Sequence, residues 1–126
     1  DFCPGMPQER RWFQFYGYGF ALIENKTSQT LKVYSYDGAD AVAWMCEEML
    51  EIGLHEAEVV HARVNKDNNI YIKIYGSATG FLKGEHVRAT CDELTLRCWE
   101  VTGGEAGQEV QLKQLADCDY KALITM

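Results

Sequence analysis

The chain lacks most of what announces chemistry. Its five cysteines, Cys3, Cys46, Cys91, Cys98 and Cys118, include no C-x-x-C pair. A structural zinc site ordinarily takes closely paired ligands from a turn, so no metal is expected. The three histidines, His55, His61 and His86, do not stand at metal-ligand spacing. "GSATGFLKG" at 76–84 carries glycines and a lysine but does not match the phosphate-cradling G-x-x-x-x-G-K-[ST], and reads as a loop. No serine occupies a nucleophile elbow, and without the fold no carboxylate can be set opposite another. Enzymatic activity is therefore not expected, and no catalytic residue, metal ligand or cofactor is assigned. The sequence also has no transmembrane run, signal peptide or low-complexity tract. It opens with Asp1 and not Met, as expected of a processed product or an excised piece. The compartment stays open between the cytoplasm and secretion, to which the sequon Asn25-Lys26-Thr27 and Cys3 point.

Cationic charge is scarce too. Nineteen Asp and Glu stand against 12 Lys and Arg, a formal net charge of −7, so net charge does not steer the chain toward DNA or an anionic membrane. The imbalance is regional: from Asp37 to Glu56 there are six carboxylates and no Lys or Arg. From Ala57 to Trp99, Arg63, Lys66, Lys73, Lys83, Arg88 and Arg97 restore the balance. With 126 residues, 47% of them hydrophobic, residues 1–126 make one domain with one core.

What is abundant is the alternation of extended chain. After an irregular lead-in over 1–9, residues 11–24 place Phe13, Phe15, Gly17, Gly19, Ala21 and Ile23 on one face. Trp12, Tyr16, Tyr18, Phe20 and Leu22 fall on the other. "NKTSQ" at 25–29 is a turn, and 30–36 a second strand. "DGADAVAWMCEEMLEIG" at 37–53 changes period: Val42, Met45, Cys46, Met49, Leu50 and Ile52 share one helical face, with Asp37 as N-cap and Gly53 as stop. A hairpin across "NKDNN" joins Val60, Ala62 and Val64 to Ile70, Ile72 and Ile74. A second hairpin runs through "HVRATC" and "LTLRCWEV", and "YKALITM" at 120–126 reads as extended. The fold class expected is α+β: a small curved β-barrel or sheet, OB-like, with one packed amphipathic helix and additional C-terminal strands.

Arg11-Trp12-Phe13 followed by Gly17-Tyr18-Gly19-Phe20 resembles the start of a cold-shock domain, and "CWEVTGGEAGQEVQL" is similar to that family's final hairpin. The resemblance covers about the first and last quarters of the chain. It implies an OB-type barrel that stacks unpaired bases, with Trp12, Tyr18 and Phe20 as stacking positions and Arg11 near phosphate. Stacking tolerates any sequence, because every base has a π face. Tyr16 stands where that family has a basic residue, and "VVHA" at 59–62 lacks the rings of the family's partner motif. The same aromatics also serve as core strands with glycine kinks.

Two binding readings result. His61, Arg63, Tyr71, Lys73, His86, Arg88, Arg97 and Trp99 fall on the outward side of the two hairpins. As a shared face they would track phosphates and stack bases of single-stranded RNA or DNA; as a solvated face they would pair with nearby carboxylates. The leading expectation is non-catalytic binding of single-stranded nucleic acid through Arg11, Trp12, Tyr18, Phe20, Arg63, Tyr71, Lys73, Arg88, Arg97 and Trp99. The alternative is a protein-interaction module in which Trp44, set among Glu47, Glu48 and Glu51 on the polar side of the helix, docks a basic protein partner, in an extracellular setting as one variant.

Overall fold

The computed structural model describes residues 17–38, 45–90, 95–105, 109–116 and 118–119. Those residues form nine strands and no helix: β1 Tyr18–Asn25, β2 Leu31–Tyr36, β3 Glu48–Ile52, β4 Ala57–Arg63, β5 Asn69–Gly76, β6 Gly80–Arg88, β7 Thr95–Thr102, β8 Gln111–Gln114 and β9 Cys118–Asp119. They build two sheets. One has the order β4-β1-β7-β8, with β9 also on β7; the other has the order β3-β2-β5-β6. Neither closes into a barrel, so the α+β, OB-like expectation is corrected to an all-β, two-sheet arrangement.

The helix expected over 37–53 fails where it can be followed. Residues 48–52 pair antiparallel with β2, Leu31 opposite Ile52 and Ser35 opposite Glu48. "EMLEI" satisfies period 2 as well as 3.6, and the pairing turns Leu50 and Ile52 to the core while Met49 and Glu51 face out. Cross-strand partners override local propensity in so short a segment.

Alternation explains the core. Ala21 and Ile23 of β1, Leu31 and Val33 of β2, Ile52, Val60, Ala62, the Ile70-Ile72-Ile74 ladder, Val87 and Val101 are all 0% exposed and form one apolar cluster drawn from both sheets. Each of the Val, Leu and Ile side chains among them stabilises the fold by about 1.5–3 kcal/mol relative to its exposed state. Gly19 marks a close approach here, since a Cβ would lie 2.6 Å from Val64 Cγ1 and 3.0 Å from Ala89 Cβ. β1 is covered on its other side too: Phe20 and Leu22, which alternate with that core set, are 6% and 8% exposed. It runs parallel to β7, a pairing that needs a long crossover, and the chain makes it by way of the other sheet.

The expected hairpins are sheet-to-sheet corners. β4 pairs with β1 and β5 with β2 and β6, so "NKDNN" carries the chain from one sheet to the other. The Asn65 side-chain oxygen accepts from the backbone N–H groups of Asp67 (2.9 Å) and Asn69 (3.0 Å), and Asn68 sits at φ 61°, which together turn the corner. β6 and β7 likewise lie in different sheets.

A buried polar node ties one end together. Asn25 is 0% exposed; its Nδ2 donates to the carbonyls of Gln29 (2.8 Å), Ile52 (2.9 Å) and Gly53 (3.1 Å), and its Oδ1 accepts from Thr27 N and Thr27 Oγ1. Gln29 donates through Nε2 to Gly104 O and Thr79 Oγ1, and accepts at Oε1 from Ala78 N. The 25–29 turn thereby satisfies backbone groups of the β3–β4, β5–β6 and β7–β8 connections. The sequon is thus a structural device. Its amide nitrogen is enclosed and spent on three carbonyls, so the folded chain has no room for a glycan there.

Candidate binding face

The side of the four-stranded sheet turned away from the core carries a lattice of rings. Strand register lays it out in three rows: Phe81, Tyr75, Lys32 and Glu51; then Gly84, Lys73, Tyr34 and Met49; then His86, Tyr71 and Tyr36. Residues paired across strands share a face, and those opposite Ile70, Ile72 and Ile74 point the other way. The rings meet edge to face: Tyr34 with Tyr75 at 5.2 Å, Tyr75 with Phe81 at 5.4 Å, Tyr71 with His86 at 5.0 Å and Tyr36 with Tyr71 at 6.2 Å. Such contacts contribute about 0.5–1.5 kcal/mol each beyond burial.

Three features fix the lattice. The Lys73 ammonium lies 4.8 Å from the centroid of the Tyr36 ring, a cation–π contact. Gly84 leaves the gap into which the Tyr71 hydroxyl reaches; a Cβ at that position would collide with it. His86 Nε2 stands 3.1 Å from Gly38 O, anchoring the far corner. Burial, with added repulsion from Cys46 and the neighbouring phenols, holds the Tyr36 hydroxyl above its ordinary value of 10.0. Two apolar members of the rows are exposed, Phe81 at 57% and Met49 at 47%.

At one end the lattice dips. A depression of about 340 Å³ is lined by Thr30, Lys32, Tyr34, Glu51, Tyr75 and Ser77, together with Gly76 and Gly80. Lys32 and Glu51 are exposed and opposite one another in register.

The residues singled out from sequence are dispersed. Tyr71, Lys73, His86 and Arg88 belong to this face, Arg88 at its edge opposite Asn69. Tyr18, Phe20, His61 and Arg63 lie on the other sheet. Register with Ala21 and Ile23 turns Arg97 and Trp99 toward the core side, where the Trp99 indole donates to Arg88 O at 3.0 Å. Arg88 and Arg97 are therefore not cross-strand neighbours. Arg11, Trp12 and Trp44 lie outside the described residues.

Tyr18, His61 and Arg63 meet two of the acidic residues. Glu47 Oε2 accepts from Arg63 N at 2.6 Å and its Oε1 from the Tyr18 hydroxyl at 3.3 Å. Glu48 Oε1 accepts from His61 N at 3.0 Å and stands 3.2 Å from His61 Nδ1. His61 stacks on Tyr18 at 5.8 Å. These carboxylates occupy N–H groups along the edge of β4 and seam it to β3, the edge of the other sheet. Burial, then the charge of Glu47, raises the Tyr18 hydroxyl above 10.0. Glu51 stands apart, in the depression.

Tyr34, Tyr36, Tyr75 and Phe81 were missed as site residues. The signal was present in "KVYSY" and "YIKIY", whose alternation sets tyrosine against an apolar ladder, and pairing of the two segments would have assembled the face. Cys98 is disulfide-bonded and Cys46 is a free, exposed thiol. Among the described residues, no helix is long and apolar enough to cross a membrane. No protein-family model and no curated protein matches the chain.

Proposed function

We propose that the chain is a non-catalytic binding module whose recognition surface is the outward face of the four-stranded sheet. One observation carries the reading: the outward face of one sheet holds two ring clusters, Tyr34–Tyr75–Phe81 and Tyr36–Tyr71–His86, of which Phe81 and His86 are exposed while Tyr36 is buried. Rings already fixed by their neighbours lose little side-chain entropy on binding, which is why tyrosine dominates many recognition surfaces.

Charge decides between ligand classes. Single-stranded nucleic acid needs a continuous cationic track beside its stacking rings. Here Arg63 is 4.0 Å from Glu47, Arg97 points to the core side, and Phe20 is buried. Lys32 and Lys73 remain among the rings, with Glu51 opposite Lys32, on a chain of net charge −7. This supports a neutral ligand over a polyanion.

The test is a triple variant, Tyr34→Ala, Tyr75→Ala and Phe81→Ala, compared with wild type against immobilised oligosaccharides, single-stranded oligonucleotides and peptides. Circular dichroism and urea midpoints serve as fold controls. Loss of a wild-type interaction by a variant that still folds is the expected outcome. Full retention of every interaction in the folded variant would overturn the proposal.

A further inference from the structure

We infer that the depression at the Lys32 end of this face takes a neutral, polyhydroxylated ring, a pyranose unit of an oligosaccharide; this rests on the binding-face reading above. Three independent features converge there. The rings of Tyr34 and Tyr75 stand at 70° to each other with centroids 5.2 Å apart, so they form two walls of a corner. An aromatic face is electron-rich, and the C–H face of a pyranose is apolar and weakly positive, so the two complement one another without formal charge.

Next, the polar groups around that corner are unspent. Among the described residues, the hydroxyls of Tyr34 and Tyr75 and the charged ends of Lys32 and Glu51 make no hydrogen bond or ion pair within the chain. This contrasts with Glu47 and Glu48 a few residues away, both committed to β4. A sugar hydroxyl both donates and accepts. An ammonium that only donates, opposite a carboxylate that only accepts, is the complement of such a group, and charge-assisted hydrogen bonds are the stronger kind.

Finally, charge and size agree. Lys32 and Glu51 cancel, so the corner favours neither an anion nor a cation. Its volume of about 340 Å³ lies at the small end of the range typical of ligand pockets. Thr30 and Ser77 add two further hydroxyls at its wall.

The experiment is a titration of the intact chain, followed by isotope-edited NMR, with neutral hexasaccharides of glucose, N-acetylglucosamine and mannose. A sulfated polysaccharide and oligo(dT) are run in parallel, all at about 50 and 200 mM salt. Saturable shifts confined to Lys32, Tyr34, Glu51 and Tyr75 with at least one neutral sugar, unchanged by salt, are expected. Tyr75→Ala should weaken binding about tenfold or more, and Glu51→Gln by a smaller factor. No binding of any neutral sugar, or binding that survives Tyr75→Ala, overturns the inference. Salt-sensitive oligo(dT) or sulfated-sugar binding at the same residues overturns it while leaving the binding face intact. Silence of the whole face toward all probes, together with an inert triple variant, removes both.

Discussion

The molecule concentrates polar side chains in two places and uses them in opposite ways. At the 25–29 turn, Asn25, Thr27 and Gln29 are buried, and each makes side-chain hydrogen bonds to loop backbone or to one another. On the outward face of β2, β3 and β5, Lys32, Tyr34, Glu51 and Tyr75 surround a depression with their polar ends unengaged. A buried polar group must find partners inside the protein, because leaving it unpaired costs the full desolvation penalty. A group at a recognition surface keeps its hydrogen-bonding capacity for a ligand. The distinction separates residues whose loss unfolds the chain from residues whose loss silences it.

The sharpest way to break that division is at Asn25. Asn25→Ala removes the donor to the carbonyls of Gln29, Ile52 and Gly53 and the acceptor for Thr27 N and Oγ1, while Gln29 O keeps Thr27 Oγ1 and Gly53 O keeps Glu56 N. We expect a loss of about 3 kcal/mol or more, since the five hydrogen bonds of a buried node go at once and each contributes about 0.5–1.5 kcal/mol. Urea denaturation measures this directly. Asn25→Asp should also destabilise, because a carboxylate cannot donate to a carbonyl. The same burial predicts that chain secreted from a eukaryotic host carries no glycan on Asn25, which intact mass spectrometry before and after glycosidase checks. A folded, glycosylated protein would show that the node is not required.

The seam between the sheets is intermediate, with carboxylates that are committed yet near the surface. Glu47→Ala removes the acceptor for Arg63 N and Tyr18 Oη, and should cost about 1–2 kcal/mol. It also acts on the pH profile. The Tyr18 hydroxyl lies above its ordinary 10.0 in the folded chain, through burial first and Glu47 second, and Tyr36 is raised as well. A phenol that holds its proton more tightly when folded favours the folded state below pH 10. That contribution disappears as pH climbs through the raised value. Urea midpoints from pH 8 to 11 should therefore fall above about pH 10 in wild type, and less steeply in Tyr18→Phe. Identical slopes would detach Tyr18 from alkaline stability.

How much of this could be read in the sequence depended on the range of the signal. Burial was legible: Ile70, Ile72 and Ile74, Val60, Ala62, Ala21 and Ile23 were placed on apolar faces by alternation, and all lie in the core. Pairing was not. "NKDNN" has the composition of a hairpin turn, but Asn65 and Asn68 form a corner, and nothing local distinguishes the two. The 37–53 segment failed because "EMLEI" fits either period, and β2 supplied the partner that decided it. Once the hairpins became corners, the proposed cationic face dispersed over both sheets, and Arg97 and Trp99 turned inward. The tyrosine lattice escaped notice for the same reason: Tyr34 and Tyr75 are 41 residues apart and meet only when β2 pairs with β5.

The smallest expected effect sharpens the comparison from within the binding face. Gly84 is the empty site in the middle row of the lattice, and the Tyr71 hydroxyl occupies the space a side chain would take. Gly84→Ala forces the phenol to swing aside, and its backbone φ is not in the left-handed region, so no conformational strain accompanies the change. The stability change should stay within about 1 kcal/mol, because replacing glycine in a strand gains backbone entropy that offsets part of a lost ring contact. The Tyr71 and His86 ring resonances should shift in NMR spectra, since their 5.0 Å contact depends on where Tyr71 lies. The Tyr34–Tyr75 corner does not touch Gly84, so binding at the depression should persist. If Gly84→Ala destabilises the chain as severely as Asn25→Ala, the tyrosines are part of the packed structure, and the division between committed and available polar groups does not hold.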